Sequence, residues 1–225
     1  MSDPDPIAAA RAEGRTTLTE AEGKRLLASA GVETTDFRVC ADADAAVEAA
    51  AEIGYPVVAK VSSPQVTHKS DWADGVGVAV GLDSAEGILA AATDQGIDAA
   101  VLIEEAVDLN RGIEVIVGGV RDPSFGPVVL TGLGGVFTEI FEDTGHRIAP
   151  IDHAEARSAI EELQATALLA GYRGSDPADI DALASAVVAV GDLVTEHPIA
   201  ELDVNPLLAT TDGEISLDAL VVLEG

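Results

Sequence analysis

The apolar residues of this chain keep changing their spacing, and the order of those changes limits what it can fold into. Thr19 followed by Glu22 is a capping box, and Leu18, Ala21, Leu26, Leu27 and Ala30 then recur at helical spacing until Gly31 stops the run. Residues 34–40 read as extended, and 43–53 as a helix ended by Gly54. Pro56-Val57-Val58-Ala59-Lys60-Val61 is a short, nearly continuous β run of the kind buried on both faces. A polar, irregular stretch over 63–75 leads to a strand over 76–82 and an Ala-rich helix over 84–95. Three further strands cover 99–104, 112–120 and 127–131. Gly132-Leu133-Gly134-Gly135 then interrupts before a strand over 136–141. Asp152 with Glu155 caps the next helix, and Asp176-Pro177 starts another that ends near Glu196. Residues 199–208 and 214–223 pair as a hairpin around Thr211-Asp212-Gly213. Strands alternate with helices, then come in a run, then helices return before the hairpin. That order predicts an α+β fold in two lobes rather than one doubly wound sheet. The expected division is a flexible arm over 1–17, an N-terminal lobe over 18–106 and a C-terminal lobe over 107–225.

Charge then narrows the partners. Forty acidic against twelve basic residues leave a net charge of −28. Binding to nucleic acid without sequence preference needs Lys and Arg to displace counterions from phosphate, so it is excluded, and an anionic membrane surface with it. No uncharged apolar stretch approaches the roughly 18 residues needed to cross a bilayer, and no basic-then-apolar signal opens the chain. A single cysteine, Cys40, rules out an internal disulfide and fits a reducing compartment, so the expected location is the cytoplasm. Only Lys24, Lys60 and Lys69 remain as lysines. Such a chain repels itself at low salt, whereas at molar salt the Debye length falls to about 3 Å. A salt-rich cytoplasm is the expected setting.

Lys60 is the most informative single residue, because an ammonium inside an apolar strand needs an anion. Two partners suit it, a nucleotide phosphate or a neighbouring carboxylate. Ser62-Ser63-Pro64-Gln65-Val66-Thr67-His68-Lys69-Ser70-Asp71 follows at once, closed by Gly75-Val76-Gly77. Its glycines allow backbone N–H groups to approach an oxyanion, and His68 is either a nucleophile toward phosphorus or a surface-loop histidine. Glu201, Asp203 and Asn205 stand at i, i+2 and i+4 of a strand, hence on one face. Asp203 and Asn205 are hard oxygen donors of the sort Mg²⁺ accepts, although Asn205-Pro206 also suits the start of a turn. Glu104-Glu105 ends a strand at the lobe boundary and Glu114 stands in the next, as contacts for a base and a ribose or as solvated glutamates. Arg147 enters an apolar segment and suits either a transferring phosphoryl group or one of the many acids.

The order of these features resembles the ATP-grasp (beta) subunit of ADP-forming acetyl-CoA and acyl-CoA synthetases, relatives of succinyl-CoA synthetase. The similarity is carried by Ile53-Gly54-Tyr55-Pro56-Val57-Val58-Ala59-Lys60, Ser63 to Asp71, and Arg121-Asp122-Pro123-Ser124-Phe125-Gly126-Pro127. It continues through Gly132-Leu133-Gly134-Gly135, Arg147-Ile148-Ala149-Pro150, Gly171-Tyr172-Arg173-Gly174 and Glu201-Leu202-Asp203-Val204-Asn205-Pro206, spanning nearly the whole chain after Thr17. The resemblance implies a two-lobe ATP-grasp fold and the reaction acyl-CoA + ADP + phosphate ⇌ carboxylate + ATP + CoA, through an acyl phosphate and phosphohistidine. It places Lys60, Gly75 and Val76 on the nucleotide phosphates, Glu105, Ala106 and Val107 at the adenine, Glu114 at the ribose and Arg147 in catalysis. Mg²⁺ falls to Asp203 and Asn205, and ATP or ADP is the substrate. His68 matches a histidine that receives the phosphoryl group from a partner subunit and hands it to ADP. The segment Trp72-Ala73-Asp74-Gly75 is longer than the family's usual Gly-Gly-Val link. No CoA-binding portion is present, so a CoA-binding/CoA-ligase alpha subunit is the expected partner in a hetero-oligomer. Two other functions fit the same fold: a nucleotide-binding regulatory module without turnover, and an ATP-grasp ligase joining an acid to an amine.

Overall fold

Asp5 accepts a hydrogen bond from the Ile7 amide and so starts α1 (Pro6–Ala12), with proline in its first turn. Ile7 and Ala10 are buried. The arm expected over 1–17 is therefore a packed helix in its middle, hidden in the sequence because seven mostly small residues show no clear period. The computed structural model describes residues 5–66, 77–80, 90, 99–134, 143–164, 166–172 and 176–225. α2 (Glu20–Ser29) opens at the Thr19–Glu22 capping box, and Arg15 braces that box with bonds of 2.7 and 2.9 Å to the Glu22 carboxylate. Within α2, Lys24 and Glu20 form a fully buried pair at 3.2 Å.

The chain divides into two units, Thr35–Val107 on one side and Met1–Thr34 with Asp108–Gly225 on the other. Residues 18–34, expected in the N-terminal lobe, thus belong with the C-terminal part of the chain. The reason is a long-range contact: Leu18 N–H donates to the Val221 carbonyl at 3.0 Å, and Thr17 bridges to Val222. Local patterning carries no trace of such a pairing.

The smaller unit holds β1 (Phe37–Cys40), α3 (Ala43–Ile53), β2 (Val57–Ser62), β3 (Val78–Val80) and β4 (Ala100–Glu105). Its sheet is antiparallel in the order β1-β4-β2-β3. Asp42 caps α3, and Ala46, Ala49 and Ala50 pack with Val57, Ala59, Val61, Val101 and Ile103 in one core. The helix expected over 84–95 falls outside the described residues, apart from position 90.

In the larger unit, β5 (Gly112–Asp122), β6 (Gly126–Leu133), β7 (Thr144–Ile148), β8 (Ile199–Thr210), β9 (Gly213–Ser216) and β10 (Leu220–Leu223) form an antiparallel sheet ordered β10-β8-β5-β6-β7, with β9 also on β8. Among the described residues, three helices follow β7 in sequence: α4 (His153–Glu161), α5 (Thr166–Leu169) and α6 (Ile180–Glu196). Val115, Val117, Val129, Leu133, Leu202 and Val204 share a core with Leu183, Val187, Val190 and Val194 of α6. Strand alternation puts the neighbouring residues on the opposite face. Arg121 belongs to the helix side: its guanidinium donates to the His197 carbonyl at 3.0 Å and to that of Val194, closing the C-terminal end of α6.

Two features of this sheet depart from expectation. The single return strand expected over 214–223 is two strands, because β8 shifts register between its β9 and β10 halves around Asn205-Pro206. Pro206 cannot donate to a ladder, and a bulge is where a strand tolerates it. β7 was not expected at all, since Thr-Gly-His-Arg-Ile on an edge has little apolar period; the strand expected over 136–141 lies outside the described residues. No helix among the described residues is long and apolar enough to cross a membrane.

Candidate functional site

β2 turns Val57, Ala59 and Val61 toward α3 and leaves Val58, Lys60 and Ser62 on the other face; β4 turns Leu102 and Glu104 to that same side. Lys60 is directly opposite Leu102, and Val58 opposite Glu104, so Lys60 and Glu104 are diagonal neighbours. Lys60 Nζ lies 2.6 Å from Glu104 Oε1, and Thr35 Oγ1 donates to Glu104 Oε2 at 2.9 Å. All three side chains are buried. Of the two anions left open for Lys60, the structure supplies the carboxylate.

The sequence offers Glu104 with Glu105 as contacts for a base and a ribose, and the structure makes Glu104 the partner of Lys60. Glu105 is exposed, and its amide donates to the Asp36 carbonyl at 3.0 Å. The Ala106 amide donates to the Pro56 carbonyl at 3.1 Å, and Ala106 and Val107 are half-buried. Alternation marks Glu104 as sharing a face with Leu102, but its meeting with Lys60 depends on β2 and β4 being neighbours, which neither strand records. His68, Gly75 and Val76 lie outside the described residues.

In the larger unit, Glu201, Asp203 and Asn205 occupy alternate positions of β8 on the face away from α6, with Leu202 and Val204 buried between them. Burial, followed by the charges of Glu201 and Asp218, pushes the Asp203 carboxyl above its ordinary value, partly offset by a hydrogen bond with Asn205. A desolvated carboxylate crowded by like charges is relieved by a cation. One carboxylate and one amide oxygen form a hard donor pair that suits Mg²⁺, an ion that keeps waters and phosphate oxygens in most of its shell. Among the described residues no three His, Cys, Asp or Glu side chains gather into a metal cluster.

Glu114 is opposite Leu208 on β5 and shares the face of Asp203. Its carbonyl accepts from the Gly134 amide at 2.7 Å, and a Cβ on Gly134 would stand 3.0–3.1 Å from Glu114 atoms. Glycine there lets the end of β6 close onto β5 beside Glu114. Arg147 is the exception to this grouping. It is opposite Val129, hence on the helix-covered face, and its guanidinium pairs with Glu162 at 2.8 Å. The sheet register therefore separates Arg147 from Asp203, and the ion-pair alternative is the one realised.

The family described as an ATP-grasp domain matches residues 9–223. The beta subunit of acetate–CoA ligase [ADP-forming] I of Pyrococcus furiosus is 43% identical over 96% of this chain and 96% of its own length. The acetate–CoA ligase [ADP-forming] I of Archaeoglobus fulgidus is 40% identical over 90% of this chain, which spans only 30% of that longer polypeptide. Among solved structures, the acetyl-coenzyme A synthetase 1 of Ca. Korarchaeum cryptofilum, in complex with coenzyme A, Ca-AMPCP and HgCl⁺, superposes with a TM-score of 0.90 at 38% identity, covering 99% of this chain and 100% of the matched one. A form of the same enzyme with coenzyme A and Mg-AMPPCP, its phosphohistidine segment pointing towards the nucleotide binding site, gives a TM-score of 0.82 at the same identity and coverage. The fold and these matches define an ATP-grasp domain. The chain belongs to the branch of that family formed by the beta subunits of ADP-forming acetate–CoA ligases.

Proposed function

We propose that the chain is the nucleotide-binding subunit of a cytoplasmic ADP-forming acyl-CoA synthetase, passing a phosphoryl group between phosphohistidine and ADP. The observation that carries this reading is the face of β8 and β5 on which Asp203, Asn205 and Glu114 stand together, in a chain similar over its length to subunits of that enzyme. In this reading Glu114 takes the ribose, and Asp203 with Asn205 hold Mg²⁺, which when bound offsets the charge of the phosphates. Lys60, oriented by Glu104, turns its ammonium to the phosphate chain. Glu105, Ala106 and Val107 line the adenine, and the segment with Gly75 and Val76 covers the phosphates. Arg147 is left to its pair with Glu162.

Phosphoryl transfer asks a protein for positioning and charge neutralisation more than for covalent chemistry. The N–P bond of phosphohistidine breaks as a β-phosphate oxygen of ADP bonds to phosphorus, and a ring protonated at its other nitrogen leaves as neutral imidazole. His68 is proposed to carry the group on this chain after receiving it from a histidine of the CoA-binding alpha subunit, the partner in a hetero-oligomer. The test is labelling with γ-labelled ATP and Mg²⁺ in the complex. Wild type gains label that is acid-labile and base-stable, and His68→Ala gains none while its ADP affinity is unchanged. Wild-type turnover by His68→Ala would remove His68 from the route.

A further inference from the structure

We infer that the sheet face away from α6, from β5 outward to the edge strand β7, is the surface on which the CoA-binding alpha subunit docks, an assignment that rests on the function proposed above. Asp203, Gly118, Leu130 and His146 form one row of directly opposed residues across β8, β5, β6 and β7. The face that carries Asp203 and Asn205 is therefore continuous with the outer end of the sheet. A phosphohistidine brought by another subunit to a nucleotide on this face must arrive across it.

The outer end has the surface that such a landing requires. Val120, Val128 and Ile148 share the face, and with Phe125, His146 and, at its rim, Arg147 reaching round the edge strand, they line a shallow hollow of about 400 Å³. Phe125 is 66% exposed and Ile148 60%, in a chain with only four phenylalanines. Large apolar groups left in water beside a concave surface mark an interaction site, and aromatic anchors dominate the energy of such sites. The Phe125 backbone is held in advance: Asp122 Oδ1 accepts from the Ser124 and Phe125 amides at 2.7 and 2.9 Å, and Gly126, at φ +77°, closes the turn. Ordering this hairpin costs little on binding.

Charge selects the same place. Among the described residues Asp122 is the one carboxylate lining the hollow, in a chain of forty acids; its Oδ1 is engaged within its own turn, and the Arg147 cation lies at the same rim. A partner suited to the same salt-rich solvent carries the same sign of charge, and two such surfaces meet with least repulsion where carboxylates are fewest.

The experiment measures affinity between this chain and the CoA-binding subunit co-produced with it, in molar KCl, by interferometry. Phe125→Ser with Ile148→Ser weakens binding by about 30-fold or more, the loss expected of anchor residues. Val47→Ser, at an exposed apolar position of α3, does not change it. MgADP affinity of the isolated double variant equals wild type, which shows that it is folded. Affinity of the double variant within about twofold of wild type would overturn the assignment. So would light scattering that finds a dimer of the isolated chain, dissolved by the double variant while the partner still binds; the face would then join two copies. Failure of the functional reading shows separately, as a wild-type complex that neither binds MgADP nor transfers phosphate.

Discussion

Glu104 holds the Lys60 ammonium at 2.6 Å from the neighbouring strand, with both side chains buried. Removing one partner of such a pair strands a charge in the interior, which typically costs about 3–5 kcal/mol, whereas replacing both by apolar groups of similar size is nearly neutral. Glu104→Gln and Lys60→Met are each expected to lower unfolding free energy by about 3 kcal/mol in urea titrations, and Lys60→Met with Glu104→Leu to recover most of that. A double variant as unstable as the two losses added would show that the groups are not coupled.

Asp203→Ala is expected to abolish the Mg²⁺ dependence of ADP binding, because it removes the charged member of the donor pair. Asn205→Ala weakens it less, since water replaces a neutral carbonyl. Arg147→Ala leaves it unchanged, because its pair with Glu162 lies on the other side of the sheet. Calorimetric titration of ADP with and without Mg²⁺ ranks the three, and equal loss for Arg147→Ala and Asp203→Ala would contradict the register argument.

The pH dependence has one well-placed contributor. Burial raises the Glu22 pKa, but hydrogen bonds from Arg15 and Thr19 outweigh it, so its carboxyl titrates below the ordinary 4.5. A folded pKa below the unfolded one gives stability that is complete above the unfolded value and is lost as pH falls through the folded value. Glu22→Gln should therefore cost about 1–2 kcal/mol at neutral pH and progressively less in acid. Urea unfolding of both proteins at neutral pH and near pH 3 reads the difference; a gap that widens in acid would reverse the sign.

Salt should stabilise the fold, since a net charge of −28 repels itself until counterions screen it. Melting temperature is expected to rise steeply between low and molar KCl. A flat or falling profile would dispose of the salt-rich setting.

Local signals were legible in the sequence, and long-range pairings were not. The Thr19–Glu22 and Asp152–Glu155 boxes and the 43–53 helix could be read because each rests on residues a few positions apart. The one-face spacing of Glu201, Asp203 and Asn205 is equally local. That Glu104 meets Lys60, that Arg147 lies on the other face of the sheet from Asp203, and that residues 18–34 pack with the C-terminal part of the chain are not legible, for a common reason. Each depends on which strands are neighbours and in what register, and strand patterning repeats every two residues whatever the neighbour. The split between β9 and β10 has a local cause, Pro206, but its effect falls on a strand ten residues away.

Both lysines among the described residues are buried, Lys24 beside Glu20 and Lys60 beside Glu104. Acyl phosphates and acyl thioesters acylate free amines without any enzyme, and an enzyme that handles them exposes its own surface to that damage. Here the described surface offers such reagents no lysine amine, and arginine, which supplies its cations, stays protonated and unreactive toward them. Burial of Lys24 and Lys60 thus also makes the described surface resistant to self-acylation. After exposure of the folded protein to acetyl phosphate, peptide mapping should find Lys24 and Lys60 unmodified, and modification of both once the chain is denatured at alkaline pH.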